Sequence, residues 1–208
     1  MLYLIGIGLK PAHLSREALD ALKTCDNIFV ESYTSSYSEG AVRELEQEIG
    51  KKVMELDRGQ VEGANSGNII ASAKKNNIAL CVFGNIFSAT THIQLMIDAK
   101  NAGVKCAALP GISIFSFLGK TGLDEYRFGR TATIVKPEKG YAPDSFFAMI
   151  EKNRSAGLHT LCLLDIKTAR EKRKIAHDFL AIPEAISILE KIAEGKNKTA
   201  EFRNWVFA

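Results

Sequence analysis

The residues of this chain whose types and spacing can do chemistry are a set of glycine-bearing bends and four histidines. The bends say more. An apolar run, Leu2-Tyr3-Leu4-Ile5, passes straight into Gly6-Ile7-Gly8-Leu9, so a strand gives way to a turn in which bare main chain can approach a ligand. A dinucleotide fingerprint needs a third glycine for close helix packing, and Pro11 stands in that region instead. Two further apolar runs, 78–83 and 104–109, end at Gly84-Asn85 and at Pro110-Gly111. In open parallel sheets ligands lie outside the carboxyl ends of strands, so these bends are expected to share one rim and line one cleft.

Of the histidines, His92 follows the second bend early in a helix, where it can face the cleft as a base or serve as a hydrogen-bonded structural residue. His159 opens a buried strand and His13 reads as loop. Cys25, Cys81, Cys106 and Cys162 show no C-x-x-C spacing, and three of them sit in apolar runs. They read as reduced core thiols, so no metal site is expected.

Short β-rich runs alternate with helical patterns, which places the chain in the α/β class with a mostly parallel first sheet covered by helices on both faces. Strands are expected at 2–5, 27–31, 52–56, 78–83 and 104–109, with helices from Ser15 through Leu22 and at 41–49, 67–76 and 88–101. Segments 32–40 and 57–66 read as loops. Glu31 and Tyr33 follow the second strand and are expected to reach the rim and shape a substrate entrance. The second half reads as a mixed sheet with strands at 128–135 and 158–166 and a helix near 145–152. A helix across 112–124 joins the halves, giving domains 1–112 and 113–208. Lys167, Arg170, Lys172, Arg173 and Lys174 make a basic stretch, either a solvated loop or helix face or a docking surface for a protein.

The 208 residues carry a formal charge of +3 and are 46% hydrophobic and 25% charged, an ordinary globular balance. That charge is too small to imply nucleic acid or a membrane surface, and no apolar stretch approaches the ~18 residues of a bilayer span. The expectation is a cytosolic protein.

Taken in order, Leu4-Ile5-Gly6-Ile7-Gly8-Leu9, Glu31-Ser32-Tyr33-Thr34-Ser35, Ala89-Thr90-Thr91-His92, Gly111-Ile112-Ser113-Ile114-Phe115-Ser116, Tyr126-Arg127-Phe128-Gly129-Arg130-Thr131 and the segment from Gly157 to Lys167 resemble the diphthine synthases. These are S-adenosylmethionine-dependent methyltransferases within the tetrapyrrole-methylase-like superfamily. The resemblance runs from Met1 to about Leu189. It implies two α/β domains, S-adenosyl-L-methionine as donor with S-adenosyl-L-homocysteine as product, a homodimer, and translation elongation factor 2 as the protein substrate. The accepting group is the amino nitrogen of a 3-amino-3-carboxypropyl-histidine, and the shorter, archaeal kind is the nearer likeness. Carried over by position, the donor contacts are Leu9, Asn85, Ser88, Ser113, Ile114 and Leu164, while no catalytic residue is implied beyond the candidate His92.

Two departures stand out. Where the family has G-D-P-L, this chain has Gly84-Asn85-Ile86-Phe87-Ser88, so a carboxylate that favours the cationic donor is absent. Family members also continue past the point matching Val206-Phe207-Ala208, so Trp205-Val206-Phe207-Ala208 is expected as a strand at an unfinished edge of the second sheet. The other readings are a tetrapyrrole or ribosomal-RNA methylase, and a degenerate homologue that binds donor or product without turnover.

Overall fold

Alternation along the strands sets the layering. The structure, a computed structural model, describes residues 1–35, 37, 40–62, 66–88, 91–171 and 174–208. Its contacts divide the chain into two units, Met1–Phe117 with Ala169–Ala176, and Leu118–Thr168 with His177–Ala208.

In the first unit β1 (Leu2–Gly6), β2 (Asn27–Glu31), β3 (Val53–Leu56), β4 (Ile78–Val82) and β5 (Cys106–Leu109) form one sheet in the order β3-β2-β4-β1-β5. Every pairing is parallel. Side chains of successive strand residues point to opposite faces. Leu2, Leu4, Ile78, Leu80 and Val82 therefore enter one apolar cluster, while Ile5, Ala79 and Cys81 enter another. The first cluster is closed by α3 (Arg58–Val61), α4 (Ser66–Ala73) and α5 (Ile93–Asn101), the second by α1 (Arg16–Thr24) and α2 (Ala41–Ile49). With helices on both faces, β4 is buried along its whole length, as its almost wholly apolar sequence requires.

Local signals place the helices. Ser15 caps α1 by accepting the Ala18 amide at 3.1 Å, and Gly50 ends α2 in the left-handed conformation. The expected loop 57–66 contains α3, because Asp57 and Gln60 form a reciprocal capping box that stabilises a single turn. The expected helix at 88–101 begins only at Ile93, since Ser88 donates its amide to the Asn85 carbonyl at 3.0 Å and closes a turn there. The segment across 112–124 forms a 3-10 run, Ile114–Thr121, rather than an α-helix.

In the second unit β6 (Ala132–Ile134) and β7 (Cys162–Leu164) pair in parallel. α6 (Ser145–Ser155), α7 (Ile182–Gly195) and α8 (Thr199–Phe202) pack on them through Phe146, Phe147, Ile150, Leu189 and Phe202. The expected strand 128–135 shrinks to β6 because the side chain of Asn153 replaces a ladder partner. It accepts the Arg130 amide at 3.1 Å and donates to the Arg130 carbonyl at 2.8 Å. Residues 166–179, read as a basic loop or helix face, instead hold the paired strands β8 (Ile166–Glu171) and β9 (Lys174–Phe179). Lys167 is tied to the Lys136 carbonyl at 3.0 Å and to Glu138. Lys172 and Arg173, and the side chains of Arg170 and Lys174, lie outside the described residues. Trp205–Ala208 is not a strand: Trp205 stacks on Phe147 at 5.3 Å and meets Phe202 at 5.1 Å, which turns the segment onto the helices.

Burial raises the thiol pKa of Cys25 and of Cys162 to about 11, which suits apolar packing and leaves little thiolate near neutrality. Among the described residues no group of three or more His, Cys, Asp or Glu is placed to hold a metal, and no helix is long and apolar enough to cross a membrane.

Candidate functional site

Because β1 lies between β4 and β5, the bends that follow these strands emerge side by side. Gly8 and Gly84 exchange main-chain hydrogen bonds, 3.1 Å from the Gly8 amide and 2.8 Å from the Gly84 amide. Both glycines have positive φ, 72° and 77°. A Cβ on Gly6 would sit 2.8 Å from the Gly84 carbonyl oxygen, and one on Gly111 would sit 2.6 Å from the Gly6 carbonyl carbon. Three stretches of main chain thus touch where no side chain can intervene. The expected rim exists, and it is built of backbone.

Around this junction stand five of the residues named above. Leu9, in the first bend, and Ile114, after the third, are both exposed. Asn85 turns its Oδ1 to the Phe87 amide at 3.1 Å, and Ser88 closes the same turn. Ser113 is buried, its Oγ accepting the Phe115 amide at 3.2 Å, which sets the direction of the third bend. Leu164 belongs to the other unit, on β7 opposite Ile134, where it packs on that unit's core.

Sequence reasoning misses two residues here. His13 belongs to a 3-10 turn, Pro11–His13, and its Nδ1 accepts the Leu9 amide at 3.4 Å while its ring stacks on Phe117 at 5.4 Å. Proline early in the turn was the available signal. Tyr37 donates its hydroxyl to the Ile7 carbonyl and packs on Phe83 at 4.5 Å, tying the segment after β2 to the first bend. Nothing in the sequence marks that contact, which joins residues thirty positions apart.

Glu31 and Tyr33 do not form an entrance. Both are buried, Glu31 at 0% exposure. The Glu31 carboxylate accepts the amides of Tyr33 at 3.2 Å and Thr34 at 3.1 Å and also the Thr34 hydroxyl, which locks the turn after β2. Burial nevertheless raises its pKa, outweighing those hydrogen bonds. The Tyr33 hydroxyl reaches His92 Nε2 at 3.3 Å. His92, 2% exposed at the start of α5, has its pKa held down to about 4 by burial, so it is neutral across the physiological range. A neutral imidazole can accept a proton, but nothing in this geometry aligns it with a substrate. Ala89 and Thr90 of the same motif lie outside the described residues.

A parallel sheet whose first, fourth and fifth strands end in touching glycine bends defines an α/β domain whose rim is built of main chain, at the strand ends where open parallel sheets take ligands. Residues 1–199 match the tetrapyrrole (corrin/porphyrin) methylases, and the chain belongs to that family. Within it the likeness is to the diphthine synthases. The chain is 39% identical over 197 residues to the diphthine synthase of Staphylothermus marinus, covering 93% of this chain and 71% of that one. It is 36% identical over 208 residues to the diphthine methyl ester synthase of Yarrowia lipolytica, covering 95% and 69%. A solved diphthine synthase superposes with a TM-score of 0.78 at 32% identity over 93% of this chain and 72% of that one. A crystal structure from Entamoeba histolytica assigned to the same enzyme gives 0.81 at 32% identity over 95% and 73%. The protein is accordingly a methyltransferase of the diphthine synthase group.

Proposed function

We propose that this chain transfers methyl groups from S-adenosyl-L-methionine to the amino nitrogen of the 3-amino-3-carboxypropyl-histidine of translation elongation factor 2. The observation that carries the proposal is the main-chain junction of Gly6, Gly84 and Gly111, flanked by exposed Leu9 and Ile114. A donor with an adenine face, a neutral ribose and a zwitterionic tail suits that surface, since backbone groups can meet the polar edges and the aliphatic side chains the ring. Leu9, Asn85, Ser88, Ser113 and Ile114 are the donor contacts that the family resemblance implies, and they lie on or beside these bends. Leu164 is assigned by family resemblance.

When bound, the donor supplies a methyl group activated on a sulfonium, which passes by in-line displacement and calls for alignment and a dry site rather than a covalent enzyme intermediate. The glycine bends contribute rigid placement. An α-amino group with an ordinary pKa of about 7.7 to 8.0 is partly neutral near pH 7, so the first transfer needs little help from a base. A homodimer, cytoplasmic location and functional domains 1–112 and 113–208 belong to the same reading. The relatives include both synthase and methyl ester synthase names at similar identity, and the archaeal type rests on the likeness to the shorter family members alone.

The test is a methylation assay with radiolabelled donor, offering elongation factor 2 bearing the unmethylated side chain, a tetrapyrrole precursor and ribosomal RNA in separate reactions. Label on the elongation factor alone supports the proposal. Label on either of the others, or calorimetric binding of S-adenosylhomocysteine without turnover on any, overturns it.

A further inference from the structure

His13 is joined to each of the three glycine bends. A methyl group on Gly8 would fall 2.4 Å from the His13 Cβ, so the histidine stands where a side chain of the first bend would go. Its ring stacks on Phe117, in the 3-10 run that follows the third bend, with centroids 5.4 Å apart and planes inclined by 24°. Its Nδ1 accepts the Leu9 amide at 3.4 Å. The Leu9 side chain in turn leans onto the second bend. Leu9 Cδ2 lies 3.8 Å from the point where a side chain on Gly84 would begin, and Ser113 Cα lies 3.9 Å from the same point.

The main-chain ladder explains why Leu9 needs such a partner. Ile7 donates its amide to the Val82 carbonyl and Gly8 to the Gly84 carbonyl, and there the ladder ends. Leu9 is the next residue, and among the described residues its amide has no partner other than His13. A backbone N–H can only donate, so the nitrogen that faces it is the unprotonated one, and in the neutral ring the proton sits on Nε2. A hydrogen bond of 3.4 Å is long and holds little by itself. The stack on Phe117 sets the plane of the ring, however, and the close approach of Gly8 leaves its root little room to shift, so Nδ1 is kept facing the amide.

We propose that His13 is a positioning residue of the methyl-donor site, which by holding the Leu9 amide keeps the Leu9 side chain over the second bend as a fixed apolar wall for the donor. The proposal rests on the reading that places the donor at these bends. The role requires an acceptor at the position of Nδ1, not an imidazole as such.

The experiment compares two variants of the whole chain with the parent. His13→Phe retains a ring to stack on Phe117 and loses the acceptor, whereas His13→Asn loses the ring and sets its Oδ1 in the place of Nδ1. Calorimetry with S-adenosylhomocysteine should show binding about fivefold weaker in His13→Phe, the factor by which one neutral hydrogen bond selects the competent bend. His13→Asn should recover most of that loss. Equal affinity in His13→Phe and the parent, or an equal loss in both variants, overturns the proposal. Two readouts need no ligand. Hydrogen exchange of the Leu9 amide should be slower in the parent and in His13→Asn than in His13→Phe, and nitrogen-detected NMR of the parent near neutral pH should find the ring proton on Nε2. A parent ring protonated on Nδ1 overturns the proposal whether or not either variant folds. A parent that does not bind S-adenosylhomocysteine refutes the donor site itself and the role of His13 with it. A parent that binds it no more tightly than His13→Phe refutes the role of His13 alone.

Discussion

Gly6 and Gly111 meet so closely that a methyl group on either would collide with the other's backbone, not with a movable side chain. Gly111→Ala is thus expected to destabilise the first unit by about 3 kcal/mol or more, because overpacked backbone has nowhere to relax. Gly67→Ala on α4 meets nothing within 4 Å and is expected to be neutral or stabilising by about 0.5 to 1 kcal/mol. Urea unfolding of the two variants checks the contrast, and equal losses would refute it.

Asn85→Asp is expected to tighten binding of S-adenosylhomocysteine about tenfold, in line with ~1 to 2 kcal/mol for a charge-assisted hydrogen bond. The Phe87 amide that Asn85 Oδ1 now accepts can be held equally by a carboxylate, so the turn should survive. Isothermal calorimetry decides it, and unchanged affinity would remove Asn85 from the donor contacts.

His92 carries a pH signature. Its pKa is about 4 in the folded chain against an ordinary 6.5, so between those values the unfolded chain binds more protons. Stability should then rise with pH across pH 4 to 6.5, by at most about 3 kcal/mol, and be fully present above 6.5. Glu31 works in the opposite sense, since its raised pKa contributes stability that is lost as pH climbs through the folded value. Subtracting the profile of His92→Gln from that of the parent isolates the histidine share. A difference that is flat between pH 4 and 7 would contradict the buried neutral ring.

In the second unit, Asn153→Leu is expected to cost about 2 to 4 kcal/mol. It removes bonds to the Arg130 amide and carbonyl and to Thr160 Oγ1 at 2.9 Å, leaving half-buried backbone without partners. Thermal unfolding of the chain measures the loss, and a cost below about 1 kcal/mol would show that water replaces the side chain.

Much of the first unit was legible from the residues. Runs such as 27–31 and 41–49 announce their period, and Gly50 marks the helix end, so Asn27–Glu31 and Ala41–Ile49 form where the pattern puts them. The adjacency of the glycine bends followed from parallel topology. What escaped were long-range side-chain substitutions for local structure: Asn153 standing in for a strand partner, and Trp205 drawn onto Phe147 instead of extending a strand. Glu31 and Tyr33 were misread because position after a strand does not say whether a loop turns outward or folds in. The pull of the Glu31 carboxylate on two successive amides turned it in.

The Ile7 peptide is held from both sides, its amide on the Val82 carbonyl at 2.9 Å and its own carbonyl on the Tyr37 hydroxyl. The first bend is consequently set before any ligand arrives, and little chain entropy remains to be lost when one docks. Association should therefore show the heat-capacity change of dehydrating a fixed surface, without the larger signal that accompanies a segment folding as it binds.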